Sequence, residues 1–207
     1  MEETRFVGKG IVKKDAEALL SGRPVYTDDL APDSCLIIKL LRSPHAHAII
    51  EDIKTDAARK VPGIAAIFTY KDVPQTRFTE AGQTFPEPSP DDRLILDQRV
   101  RYVGDPVAIV AGKDEACVNR ALRIIKVKYQ VLEPILDFTK SLDNDIIIHP
   151  EDNYVAKEGR GTDPKRNLCA SQSRGEGDVD QVLADCDYVV EEVYHTKAVN
   201  QAMMELG

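Results

Sequence analysis

Apolar residues in this chain gather in short runs separated by prolines, glycines and acids. Residues 35–42 are apolar at nearly every position, which predicts a strand covered on both faces. Ser43-Pro44 interrupts the run, and residues 46–53 predict a second strand. Thr55 or Asp56 can cap a short helix over 56–61, which Pro62-Gly63 ends. Residues 64–70 read as a third strand. Pro74, Pro86, Pro88 and Pro90 then mark residues 74–93 as a long loop. Regular structure resumes at 99–103. Gly104-Asp-Pro106 makes a turn, and 107–111 read as a buried strand. Asp114 can cap a helix over 115–125, where Cys117, Val118, Ala121, Leu122, Ile124 and Ile125 form one broad apolar stripe. Residues 126–131 alternate polar and apolar, as a half-exposed strand does.

The two ends differ from this middle. Residues 1–34 read as an irregular lead-in, with a helical turn over 15–22 and an extended piece over 23–29. Residues 139–176 are polar and rich in Asp, Asn, Gly and Pro, the composition of a linker. Beyond it, 177–186 predict a short helix capped by Asp178, and 188–199 a long strand. A strand that opens a new layer with nothing after it to pack on is expected to begin a second domain. The fold class expected from these elements is α+β.

Charge narrows the function. Lys+Arg number 27 and Asp+Glu 35, a formal charge of −8, which argues against a nucleic-acid surface as the main role. No stretch approaches the ~18 apolar residues of a membrane span. The acidic opening Met-Glu-Glu-Thr-Arg-Phe lacks the apolar core of a signal peptide. Cys35, Cys117, Cys169 and Cys186 form no C-x-x-C pair; they are expected to be reduced, mostly packed thiols of a cytoplasmic protein.

Candidate chemistry is sparse. "RSPHAHAII", residues 42–50, places His45 and His47 two apart, and on a strand both imidazoles would share a face. Zinc would need further donors, and Glu51, Asp52, Asp56 and His149 stand at no diagnostic spacing. A structural role is the stronger reading, with a ring nitrogen bonding a free backbone group. Gly104-Asp-Pro106 with Arg99 and Arg101 raises an anion site, but a strand follows the turn where phosphate cradles use a helix. Gly175-Glu-Gly177 precedes a helix, yet a lone G-x-G is weak evidence for a dinucleotide. No nucleophile motif is present. The residues alone therefore give no catalytic residue and no metal site.

The ordered set of segments says more. Val7-Gly-Lys-Gly-Ile-Val, Ser21-Gly-Arg-Pro-Val-Tyr-Thr-Asp-Asp-Leu30 and Leu41-Arg-Ser-Pro-His-Ala-His-Ala-Ile49 come first. Pro62-Gly-Ile-Ala-Ala-Ile-Phe-Thr-Tyr-Lys-Asp-Val-Pro74, Val100-Arg-Tyr-Val-Gly-Asp-Pro-Val-Ala-Ile-Val110 and Val127-Lys-Tyr-Gln-Val-Leu-Glu-Pro134 follow. In this order they resemble the opening of the molybdenum-binding subunit of the xanthine dehydrogenase/aldehyde oxidase family. The resemblance implies an α/β hammerhead domain over 1–138, a linker over 139–176 and the incomplete start of a molybdopterin-binding domain over 177–207. It implies an oxidoreductase that hydroxylates a heteroaromatic or aldehyde substrate with water. A molybdopterin-molybdenum cofactor would sit in the full-length protein, with iron–sulfur clusters and FAD on partner domains or subunits. This fragment alone would be inactive, would hold none of these groups and would supply scaffold and subunit contacts.

Residues 200–206 are similar to a family stretch of His, two residues, Met or Leu, then Glu-Pro. Gln201 here stands at the His position and Leu206 at the Pro position, so Gln201 and Glu205 are the cofactor-adjacent candidates the resemblance implies. The alternative is a free-standing, non-catalytic interaction or assembly module with the same fold.

Overall fold

The computed structural model describes residues 5, 7–23, 26–80, 89–154 and 161–199. The chain divides into two compact units, Leu36–Cys186 and a pairing of Met1–Cys35 with Asp187–Gly207.

Six strands build the larger unit: β1 (Ile37–Arg42), β2 (Ala48–Lys54), β3 (Ile64–Thr69), β4 (Arg99–Val100), β5 (Pro106–Gly112) and β6 (Lys126–Val131). They form two antiparallel three-stranded sheets, ordered β1–β5–β3 and β4–β2–β6. Between β2 and β3 lies α2 (Asp56–Arg59), and between β5 and β6 lies α3 (Glu115–Ile124). In α3 the Asp114 carboxylate accepts the Cys117 N–H at 2.8 Å, satisfying one of the free first-turn donors. Its stripe of Cys117, Val118 and Ala121 is buried with Val110 of β5 and Ile67 of β3. Ala48, Ile50, Ile53 and Val100 of the second sheet belong to the same core. Gly112 at the end of β5 is required there. A Cβ on it would lie 2.7 Å from Cys117 Sγ and 2.9 Å from Val118 Cγ2, so its absence lets α3 approach the sheet.

The expected strands and helices of this unit are present, with corrections. β1 is not covered on both faces. It is an edge strand whose one face looks toward α3, where Lys39 pairs with Glu115, so Ile38 is left 63% exposed. An unbroken apolar run resembles a doubly covered strand, although here it serves one face and an open edge. The strand foreseen over 99–103 stops at Val100, because Arg101 N–H turns to the Asp105 carboxylate and Gly104 N–H to the Ser43 carbonyl. Within the long loop, Phe78 and Arg93 exchange backbone hydrogen bonds of 2.9 and 3.0 Å as an isolated antiparallel bridge.

The stretch 139–176 holds side-chain-bonded turns. Asn167, in the left-handed conformation, donates to the Ser141 and Ile146 carbonyls and accepts the Ile148 N–H. Arg166 forks onto both oxygens of Asp143 at 2.6 and 2.8 Å. The helix foreseen over 177–186 is α4 (Val179–Ala184), capped by Asp178.

In the smaller unit, the foreseen helical turn is α1 (Ala16–Leu20). The piece read as extended over 23–29 runs into a 3₁₀ turn at Thr27–Leu30. Residues 188–199 are not a strand: they have no ladder partner among the described residues, and Tyr188 is 91% exposed. An alternating sequence becomes a strand only where a neighbour accepts its backbone bonds. The thiols also depart from expectation: Cys117 is buried, whereas Cys35, Cys169 and Cys186 are exposed and free.

Candidate functional site

The histidines of "RSPHAHAII" precede β2, so strand alternation does not place them. Ser43 Oγ accepts the His45 backbone N–H at 2.9 Å, and the His45 ring meets Tyr129 of β6 edge-on at 4.8 Å. His47 is buried. Arg99 Nη1 donates to its Nε2 at 3.2 Å, which puts the ring proton on Nδ1, where it reaches the Glu133 carbonyl at 2.9 Å. Both imidazoles are therefore engaged in structure. Among the described residues no group of three or more His, Cys, Asp or Glu could hold a metal ion.

Arg99 leads to the densest polar cluster of the larger unit. Arg99 and Arg101, two apart, both reach one oxygen of Glu151: Arg99 Nε at 2.9 Å and Arg101 Nη2 at 2.8 Å. Arg77 lies 3.5 Å from the other oxygen, Oε2, which is buried and accepts no hydrogen bond. Arg77 comes from the long loop, and its side chain is only 3% exposed. It also donates to Asn153 Oδ1 at 2.7 Å and to the Asp92 carbonyl at 2.9 Å. Arg101 binds Asp97 at 2.7 Å and the Ile148 carbonyl at 3.1 Å. Three guanidiniums thus converge on a strap, residues 141–154, through Glu151 and the Ile148 carbonyl.

Three cavities of about 140, 240 and 240 Å³ share Ile148 as a lining residue. His149 borders the first two, and its buried Nδ1 has no hydrogen-bond partner. Burial, followed by the Arg101 guanidinium, pushes the His149 pKa down to about 4. Burial also drives the Tyr154 hydroxyl, which packs against His149, up to about 12.

His149 has a consequence for stability. Its folded pKa lies below the ordinary 6.5, so the unfolded chain binds more protons between pH 6.5 and about 4. Stability is expected to be full above pH 6.5 and to fall as pH drops toward 4. The loss is on the order of 2 kcal/mol after allowance for partial solvent screening. Urea midpoints of wild type and His149→Phe across pH 4–7 check this, with the variant losing that part of the acid dependence.

Arg77, Glu151, His149 and Asn153 were not foreseen as a site. They lie in two loops far apart in sequence, and only the period-two pair Arg99/Arg101 hinted at it. Gln201 and Glu205 lie outside the described residues. The Gly104-Asp105 turn is bonded to Ser43 through Gly104 N–H to the Ser43 carbonyl and Ser43 N–H to the Asp105 carbonyl.

The two antiparallel sheets with α3 packed on one of them form an α+β hammerhead. A family model described as "Aldehyde oxidase and xanthine dehydrogenase, a/b hammerhead domain" matches residues 21–133, and the chain belongs to that family. It is 31% identical to the protein named "Probable hypoxanthine oxidase XdhD" of Escherichia coli O157:H7, over 99% of this chain and 24% of that one. It is 32% identical to the xanthine dehydrogenase molybdenum-binding subunit of the same organism, over 94% of this chain and 25% of that one. Among solved structures it is similar to the aldehyde oxidoreductase of Desulfovibrio desulfuricans, with TM-score 0.58 and 31% identity over 69% of this chain and 17% of that one. The chain spans about a quarter of the length of the curated relatives it matches.

The described residues do not fit a molybdopterin. Both early histidines are engaged, the guanidiniums of the polar cluster are taken up by Glu151, Asp97 and Asn153, and its cavities lie below the ~300–1,000 Å³ usual for ligand sites.

Proposed function

We propose that this chain is the N-terminal part of a molybdenum-hydroxylase subunit, with the hammerhead over 1–138, a connecting stretch over 139–176 and the opening of the molybdopterin-binding domain over 177–207. The whole protein would oxidise a heteroaromatic or aldehyde substrate, with oxygen from water. Within it, this part serves as scaffold and subunit contact, in the cytoplasm, beside iron–sulfur and flavin partners. Gln201 and Glu205 are the residues proposed to approach the cofactor, and no reaction step is assigned to the described residues. What carries this reading is the hammerhead match over 21–133 of a chain whose relatives are about four times as long.

The test has two parts. Purified residues 1–207 should hold no stoichiometric molybdenum, whereas the product of the complete reading frame, made in a molybdopterin-competent host, should hold about one per chain and oxidise a purine or aldehyde. Stoichiometric molybdenum on residues 1–207, or a native stop after Gly207, would overturn it.

A further inference from the structure

We propose that Arg77, Arg99 and Arg101 form a carboxylate receptor which Glu151 fills from within the chain as a displaceable latch. The site has the chemistry of an anion site. Guanidinium groups present fixed forks matched to carboxylates, and three of them from two separate segments meet at one point. All three side chains are largely withdrawn from water, so the point they share demands a negative charge.

Glu151 meets that demand incompletely. One oxygen takes two donors, while the buried Oε2 makes no hydrogen bond. His149 beside it is also left with a buried unpartnered nitrogen. Two cavities are lined by Ile148 and His149 of the strap. A free carboxylate could orient both oxygens without carrying the strap's orphaned atoms with it. The ligand class is therefore a carboxylate, either a small acid or an acidic side chain of another segment, entering as Glu151 swings out.

Glu151→Ala vacates the position and leaves the receptor. Its thermal midpoint should lie below wild type and rise saturably with acetate, while chloride at equal ionic strength leaves it unchanged. Adding Arg99→Gln should abolish the acetate response. Wild type gives an independent reading that survives failure of the variant to fold. Hydrogen exchange at 146–153 should accelerate about two-fold or more in acetate over equal chloride, since acetate competes with the tethered Glu151, while β5 amides stay unchanged. Wild-type exchange indifferent to acetate, or a folded Glu151→Ala that fails to distinguish acetate from chloride, overturns the receptor. A response to phosphate without one to acetate overturns the carboxylate assignment.

Discussion

Replacing Arg101 with methionine is expected to cost the larger unit about 3–5 kcal/mol, the scale for breaking a buried ion pair from one side. Arg101 donates to Asp97, to Glu151 and to the Ile148 carbonyl, so its loss strips donors from two carboxylates and a backbone acceptor at once. Methionine keeps the apolar stem, so the loss reports the guanidinium and not a cavity. Urea denaturation at pH 7 measures it directly. A loss under about 1 kcal/mol would place the cluster among exposed ion pairs, which contribute little. Combining Arg101→Met with Glu151→Gln sharpens the result. The two side chains share one ion pair, so the double variant should lose less than the sum of the single losses, by more than about 1 kcal/mol.

The succession of strands and helices along the hammerhead was legible because each element announces itself locally. β6 alternates, the α3 stripe has the helical period, and Asp114 stands where a cap is needed. What was not legible depends on partners. Residues 35–42 show how apolar the strand is but not that β1 ends a sheet. Residues 188–199 carry the alternation of a strand and lie without a ladder. The candidate site was hidden for a similar reason. Arg77 and Glu151 lie 74 positions apart, and their meeting depends on how the long loop and the strap fold onto each other. The family, by contrast, could be recognised from ordered segments, since it depends on no single long-range contact.

The contrast between buried β2 and the open edge of β1 leads to a second large expected effect. Ile50 is fully buried at the middle of β2, between β4 and β6. Its backbone N–H donates to the Gln98 carbonyl at 2.9 Å, and Gln98 Nε2 returns a bond to the Ile50 carbonyl at 3.0 Å. These bonds hold the strand in place, so the surroundings cannot collapse into the space a smaller side chain leaves. Ile50→Ala is expected to cost about 2–5 kcal/mol, the lost transfer energy plus the cavity. For a unit of this size, each kcal/mol lowers the thermal midpoint by roughly 2–4 °C. Ile38→Ala on the open side of β1 should change stability by no more than about 0.5 kcal/mol. The contrast is the decisive measurement. If Ile38→Ala in residues 1–207 costs as much as Ile50→Ala, the exposed side of β1 is covered, and the open edge described here is wrong.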